Sequence, residues 1–135
     1  MEFEELSVGD EAAFTKTVTG ADVTLFAGVT GDTNPLHVDE EAASRSRFGG
    51  RIAHGMLTAG LVSTVLGTRL PGPGCVYLSQ TLRFTRPVRI GDTVTARAEV
   101  TELFPDDRRV RLETTCANQD GETVLEGEAE VKVPR

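Results

Sequence analysis

A carboxylate and an imidazole lie five positions apart in the segment GDTNPLHVD, residues 31–39 of this 135-residue sequence. Asp32 and His37 flank Asn34 and Pro35, and His37 is one of only two histidines in the chain. A proline fixes its own φ and pushes the preceding residue toward an extended conformation, so an Asn-Pro turn can bring the two side chains together. General acid–base catalysis needs two such groups within hydrogen-bond reach of the transferred proton. The segment is therefore a candidate acid–base pair that holds one water molecule.

Spacing alone leaves a second interpretation of this segment open, and favours it. Asp32 can end one helix while Asn34 caps the next, with His37 in solvent. Polar residues around a proline form such turns commonly. Support for the acid–base pair must therefore come from another part of the chain.

The segment GGRIAHGM, residues 49–56, offers a different kind of chemistry. Gly55 lies at the predicted start of a helix, where a backbone N–H has no partner within the helix. A carbonyl oxygen that becomes negative during a reaction is stabilised by such an N–H and by the helix dipole. The alternative is that the glycines only allow close packing. His54 is interpreted as a capping or packing residue.

Ser63 follows about two turns into the same predicted helix. A buried serine commonly donates to a carbonyl one turn earlier, but it can also support a nearby carboxylate. No GxSxG motif surrounds it, which argues against a nucleophile. The sequence has no metal-ligand cluster, phosphate-binding loop or dinucleotide-binding glycine pattern, so neither a metal nor a nucleotide cofactor is expected.

The elements that must position these residues fall into two halves. Residues 52–68 are apolar around nearly the whole helical circumference, which predicts a long helix surrounded by protein. The sequence PGPG at residues 71–74 ends it. Shorter helices are predicted at 20–29 and 39–46, the latter with Asp39 as its N-cap.

The second half of the chain is predicted to form mainly strands. Apolar residues alternate with polar ones at a period of two, which predicts half-buried strands joined by short turns in an antiparallel sheet. The predicted strands span residues 11–18, 76–84, 94–101, 110–117 and 126–133. The economical packing is an α+β fold in which an antiparallel sheet wraps around the long central helix. One sheet cannot cover a helix on all sides, so a homodimer is expected.

The amino-acid composition excludes some classes of binding partner for this chain. The formal net charge is −7, with 39% apolar and 26% charged residues. An acidic chain lacks the excess of Lys and Arg that nucleic acids require. No segment predicts a signal peptide or membrane span. Cys75 and Cys116 lack zinc or disulfide spacing, so a reduced cytoplasmic chain is expected.

Two segments together resemble the hydratase-2 motif of the MaoC-like family: AGVTGDTNPLHVDEEAA and FGGRIAHGMLTAGLVSTVLG. The resemblance continues through LPGPGCVYLSQTLRFTRPVRIGDTVTARAEVTEL and so covers nearly the whole chain. It is strongest to single-domain (R)-specific enoyl-CoA hydratases. It implies one domain over residues 1–135 with the hot-dog fold, in which a sheet wraps a central helix and two copies usually form a dimer.

The resemblance also implies a site and a reaction. The family's catalytic Asp and His match Asp32 and His37, and its supporting serine matches Ser63. The N–H that holds the thioester carbonyl matches Gly55, while Asn34 and Pro35 of the motif shape the turn. The implied reaction adds water to trans-2-enoyl-CoA, giving (R)-3-hydroxyacyl-CoA without a cofactor, because CoA is part of the substrate. Asp32 is favoured as the base.

Two other functions are considered for the same fold: an acyl-CoA thioesterase, and a non-catalytic acyl-CoA-binding dimer module. The D-x-N-P-x-H spacing favours hydration over both. Acyl-chain length and pathway, whether fatty-acid metabolism or polyhydroxyalkanoate precursor supply, are not readable from the sequence. Six arginines are candidates for contact with CoA phosphates: Arg45, Arg47, Arg51, Arg83, Arg86 and Arg89.

Overall fold

The computed structural model describes all 135 residues, Met1–Arg135, and consists of one antiparallel sheet packed against one long helix. The strands are β1 (Glu11–Thr17), β2 (Val76–Gln80), β3 (Arg83–Phe84), β4 (Thr93–Phe104), β5 (Arg109–Ala117) and β6 (Thr123–Lys132). Their order across the sheet is β1-β4-β5-β6-β2, and β3 also pairs with β6. Strands β4, β5 and β6 are consecutive and adjacent, as short turns between them require.

The helices are α1 (Gly20–Thr30), α2 (Pro35–Val38), α3 (Glu40–Ser44) and α4 (Gly55–Thr68), with a short 3-10 helix at Phe3–Glu5. The Asp39 side chain accepts a hydrogen bond from the Ala42 N–H at 3.0 Å, so the predicted N-cap is confirmed. Helix α4 packs against β1, β4 and β5. None of the helices is long and apolar enough to cross a membrane.

Alternating burial defines the inner face of the sheet. Val110, Leu112, Thr114 and Cys116 of β5 are fully buried, whereas the residues between them are half-buried or exposed. Burying one leucine side chain of this kind contributes roughly 2 kcal/mol to folding. The predicted α+β fold, a sheet around a long central helix, is confirmed.

Residues 76–84 do not form the single strand that their alternation predicted. They divide into β2 and β3, and the pairing of β2 with β6 shifts register between Tyr77 and Ser79. An extra residue in one strand interrupts the period of two. Val76, Leu78 and Phe84 are therefore about half exposed rather than part of a buried face.

Within one chain α4 is buried on one face only, and its burial on all sides, which was expected to include cover from a second copy, stays a prediction. Its buried face carries Val62, Val65 and Leu66. The opposite face is an exposed stripe of Met56, Gly60, Ser63 and Gly67. The sheet covers only one side of the helix, as expected for a single copy of the chain.

The segment before α4 is tied to two neighbours. The Ile52 N–H donates to the Leu36 carbonyl at 3.1 Å, and the Ala53 N–H donates to the Val88 carbonyl at 2.7 Å. These bonds fix residues 52–53 between α2 and the strand-like segment that precedes β4. They thereby fix where α4 begins relative to α2.

Candidate active site

The Asn-Pro turn begins where α1 ends. Gly31 caps α1 in the left-handed conformation with φ of 79°, which glycine adopts without strain. The Asn34 side chain then accepts a hydrogen bond from the Leu36 N–H at 3.1 Å, and Pro35 is the first residue of α2. The Asp32 carboxylate accepts from the Asn34 N–H at 3.3 Å. The predicted role of Asn34 and Pro35 in turn geometry matches these contacts.

The turn brings the carboxylate and the imidazole together. A carboxylate oxygen of Asp32 and one ring nitrogen each of His37 and His54 lie within 4.8 Å of one another. Asp32 is exposed, and both histidines are buried. The arrangement fits an acid–base pair better than a solvated histidine after a helix cap, and the catalytic roles themselves stay predictions.

His37 is held in one tautomer by the backbone. Its Nδ1 lies 2.8 Å from the Ile52 carbonyl oxygen. Because a carbonyl can only accept, Nδ1 carries the hydrogen, and the neutral ring has its free lone pair on Nε2. The Arg51 Nε donates to the His37 carbonyl at 2.6 Å and so anchors the backbone of the same residue. His37 is thus prepared to accept a proton at Nε2.

Gly55 is the first residue of α4. The hydrogen bonds of this helix begin with the Leu57 and Thr58 N–H groups, which reach the His54 carbonyl at 3.0 and 3.4 Å. The Gly55 N–H is left without a partner in the helix, as first-turn N–H groups are. A Cβ at this position would lie 2.7 Å from the ring of Phe84, so the present contact requires glycine.

One cavity joins the acid–base pair to this free N–H. It has a volume of about 460 Å³ and is lined by Asp32, His37 and Gly55. The rest of its wall is mostly apolar with two arginines: Arg47, Phe48, Ile52, Ala53, Met56, Thr58, Phe84, Thr85, Arg86, Pro87, Val88 and Val124. A carboxylate, an imidazole and a helix N-terminus therefore face the same apolar-walled space, which suits proton transfer next to a developing negative oxygen.

The structure does not bring Ser63 into this group. Ser63 is exposed and lines a second cavity of about 320 Å³, together with Met56, Tyr77 and Gln80. Eight positions along a helix amount to about 12 Å from Gly55. Burial raises the pKa of Tyr77 to about 12, so its phenol stays protonated and donates to Gln80. The supporting role of Ser63 stays a prediction.

His54 is a site residue that the sequence reasoning missed. Its side chain makes no cap hydrogen bond, although it occupies the N-cap position of α4. Its Nε2 lies 2.9 Å from the Asp32 carbonyl oxygen, and its ring stacks on His37 with centroids 3.9 Å apart. The available indication was its position as the second histidine of the chain, directly before Gly55.

The stacked rings are poorly arranged to share a metal ion. Their planes are inclined by only 26° at a centroid separation of 3.9 Å. Imidazole lone pairs lie in the ring plane, and a ligand nitrogen sits about 2 Å from zinc. One ion cannot lie in both planes at that distance, so the two rings cannot share an ion in this arrangement.

Two of the six candidate arginines line the cavity, Arg47 and Arg86. Arg86 forms an ion pair with Glu122 at 3.1 Å, whereas Arg47 lies over the ring of Phe48 at 4.7 Å. Arg51 and Arg89 instead donate to backbone carbonyls of His37 and Phe48. Positive charge at the cavity is therefore local, within a chain that is acidic overall.

A sheet around one helix, with an Asp–His pair at the helix N-terminus, defines the class: a hot-dog protein with a cavity suited to acid–base chemistry. Residues 6–125 match the MaoC like domain, and the chain belongs to that family. The family predicted from the motif is thereby confirmed.

Comparison with individual proteins of this family adds to this result. The chain is 58% identical over 133 residues to a 3-hydroxybutyryl-CoA dehydratase of Methylorubrum extorquens, covering 98% of this chain and 84% of that protein. It is 54% identical over 132 residues to an (R)-specific enoyl-CoA hydratase of Rhodospirillum rubrum, covering 98% and 91%. It superposes with a TM-score of 0.95 on the unliganded R-hydratase PhaJ1 of Pseudomonas aeruginosa, at 48% identity and covering 99% and 86%.

Proposed function

We propose that this chain is an (R)-specific enoyl-CoA hydratase, which adds water reversibly to trans-2-enoyl-CoA and gives (R)-3-hydroxyacyl-CoA. The observation that carries the proposal is the shared cavity of Asp32, His37 and the Gly55 N–H. The names of the similar proteins support the same reaction, since hydration and dehydration are its two directions.

The pair holds the water through two acceptors. The His37 Nε2 lone pair is one, because Nδ1–H is bound to the Ile52 carbonyl, and the Asp32 carboxylate is the other. A water molecule has two hydrogens, so both acceptors can bind it and leave its oxygen free to attack Cβ. We assign the first proton to His37, in place of the Asp32 base favoured from sequence, because its Nδ1–H is bound to the Ile52 carbonyl and its Nε2 lone pair is free to accept.

The attack forms a C–O bond at Cβ and moves the double-bond electrons to the thioester oxygen. The Gly55 N–H and the positive end of α4 stabilise that enolate oxygen. The protonated His37 then returns its proton to Cα on the same face. Water supplies both the hydroxyl and the new hydrogen, so the proposed reaction needs no metal or redox cofactor. CoA is part of the substrate, with Arg47 the candidate for its phosphates.

The test is hydration of crotonyl-CoA, followed by loss of the enoyl thioester absorbance. Asp32→Asn and His37→Ala should each lower kcat by about 100- to 10,000-fold while remaining folded, the range for loss of a general acid or base. Asp39→Asn is the matched control, since it makes the same change in the same segment and keeps a capping side chain. Near-wild-type turnover in both site variants would refute the assignment.

Two further measurements separate the alternatives. The product should be oxidised by a dehydrogenase specific for (R)-3-hydroxyacyl-CoA and not by one specific for the (S) isomer. Butyryl-CoA, which has no double bond to hydrate, should release no free thiol. Rapid thiol release would instead identify a thioesterase, and absence of both hydration and thiol release would favour a binding module.

The proposal includes a homodimer. The outer edge of β2 has no strand beside it, and exposed apolar residues surround it: Met56, Val76, Leu78 and Phe84 are each about half exposed. An unpaired edge beside the exposed stripe of α4 suits a second copy related by a two-fold axis. Sedimentation should give twice the chain mass of 14.5 kDa. Leu78→Glu should shift it to the monomer, whereas Leu25→Glu on exposed α1 should not.

A reducing, cytoplasmic location completes the proposal. Both Cys75 and Cys116 carry free thiols. Free, partly buried thiols are typical of proteins kept reduced. Activity should therefore be unchanged by added reductant, and an activity that depended on oxidation of the protein would contradict this location.

A further inference from the structure

We infer that His54 is a positioning residue that orients both Asp32 and His37 for water addition, a role that rests on the proposed hydration site. His54 is 2% exposed and lies at the junction of the two segments that form the site. Burying a polar ring is unfavourable unless its hydrogen-bonding groups are used. What this ring contacts therefore indicates what it does.

The first contact is with the backbone of Asp32. The His54 Nε2 lies 2.9 Å from the Asp32 carbonyl oxygen, which can only accept. Nε2 thus carries the hydrogen, and this bond joins the last residue before α4 to the residue that presents the carboxylate. Because the two lie 22 positions apart, the bond fixes the Asp32 backbone relative to Gly55 and the cavity.

The second contact is with the ring of His37. The two imidazoles stack with centroids 3.9 Å apart, and the ring of Phe26 lies 4.8 Å from His54. The Ile52 carbonyl fixes one edge of His37, and the His54 face fixes its plane. The hydrogen bond and the stacking together fix the orientation of the His37 ring, and so they fix the direction of its Nε2 lone pair.

The third observation is the unused nitrogen of His54. Its Nδ1 is buried and has no hydrogen-bond partner. A hydrogen on Nδ1 would be a buried donor without an acceptor, which is unfavourable, so this nitrogen holds a lone pair. A neutral aromatic face is favourable for a neighbouring cation, whereas a second imidazolium would repel it. His54 in this tautomer is therefore suited to the moment when His37 carries the proton.

Two substitutions separate the two contacts. His54→Gln keeps an N–H donor for the Asp32 carbonyl and loses the ring, whereas His54→Phe keeps a ring against His37 and loses the donor. With crotonyl-CoA, we expect His54→Phe to lower kcat by about 10- to 100-fold, the cost of a misplaced catalytic group, with KM changed less than about two-fold. His54→Gln should recover part of that loss.

A background variant tests whether His54 acts through Asp32. The His54 substitutions are repeated in Asp32→Asn protein, and the rate of hydration is measured by single turnover. In this background the fold-decrease in rate caused by either His54 substitution should be several-fold smaller, because the effects of residues that act as a unit are not additive. A loss of the same factor in both backgrounds would overturn the inference, as would wild-type kcat in both folded single variants. If His54→Phe does not fold, His54→Gln in the two backgrounds carries the same test.

Failure of this inference is distinguishable from failure of the proposed function. Wild-type protein that does not hydrate crotonyl-CoA or longer enoyl-CoA substrates contradicts the function itself. Wild-type hydration with unaffected His54 variants contradicts only the positioning role.

Discussion

The sheet and the segment of residues 31–55 are held together in different ways. Strands β4, β5 and β6 pair along nearly their whole length, and every second side chain of β5 is buried. The segment of residues 31–55 depends on single hydrogen bonds between distant residues: His54 to the Asp32 carbonyl, His37 to the Ile52 carbonyl, and Arg51 to the His37 carbonyl. In the sheet, many equivalent hydrogen bonds and side-chain contacts each contribute a small part of the stability. In the segment, each contact is made by one pair of residues and has no equivalent elsewhere.

The comparison separates stability from activity. Substitutions in the sheet should lower the free energy of unfolding and leave the site intact in molecules that remain folded. Substitutions in the segment should act mainly on kcat, with a smaller change in the free energy of unfolding. Four substitutions test this separation.

Gly127→Ala should have the largest effect, on stability. A Cβ on Gly127 of β6 would lie 1.9 Å from the Thr81 carbonyl oxygen, and backbone cannot yield as a flexible side chain can. We expect the free energy of unfolding in urea to fall by about 4 kcal/mol. The control is Gly28→Ala on exposed α1, where nothing lies within 4 Å and stability should rise by roughly 0.5–1 kcal/mol. Equal stabilities would contradict the close contact between β6 and Thr81.

Gly55→Ala should act on catalysis. Its Cβ would lie 2.7 Å from the Phe84 ring, which must move at the wall of the cavity beside the free N–H. We expect kcat for crotonyl-CoA to fall by about 100-fold, near the cost of losing one oxyanion donor. Adding Phe84→Leu, which removes the ring, should restore part of the rate. Full activity in Gly55→Ala would remove Gly55 from the proposed mechanism.

Arg51→Lys should have a smaller, mixed effect. Arg51 donates through Nε to the His37 carbonyl at 2.6 Å and through a second nitrogen to the Thr24 hydroxyl at 3.3 Å. A lysine ammonium cannot span both acceptors. We expect a loss of about 1 kcal/mol in stability and a several-fold lower kcat. Arg45→Lys at the exposed C-cap of α3, measured in parallel, should change neither quantity.

Glu130→Gln should give the smallest effect, visible only as a pH dependence. The hydrogen bond from Arg111 is the largest cause that lowers the pKa of Glu130, and Arg109 adds to it. A carboxyl with a lowered folded-state pKa stabilises the fold above its unfolded value, about 4.3, and loses that contribution as the pH falls through the folded value.

The stability difference between wild type and Glu130→Gln should therefore be present at pH 7 and shrink in acid. Glu41→Gln removes one partner of an exposed pair with Arg45 and should show little difference at any pH. A Glu130 difference that persists at low pH would indicate a packing effect rather than an ionic one.

The same contrast explains what could be predicted from the sequence. Four of the five periodic strands and the Asp39 cap follow from local patterns, and these four strands were predicted to within three residues of their observed bounds. The turn at Asn34 and Pro35 is also local, so the approach of Asp32 and His37 could be proposed from five positions of spacing.

What could not be predicted depends on contacts between distant residues. No spacing rule relates His54 to the carbonyl of Asp32, so its place in the site was missed. The exposure of Ser63 depends on how far the sheet extends around α4, and the division of residues 76–84 depends on the register with β6. A sequence pattern indicates which local element a residue belongs to. These features depend instead on which residue of another element lies against it in the folded chain.

The stacking of His37 on His54 has a consequence for spectroscopy. These are the only histidines in the chain, and both belong to the site. Every imidazole signal in a proton NMR spectrum of the wild-type protein therefore comes from the site, and the close ring faces should shift those signals through their ring currents. Substrate binding and proton uptake can then be followed in the unlabelled protein, because no other histidine contributes a background.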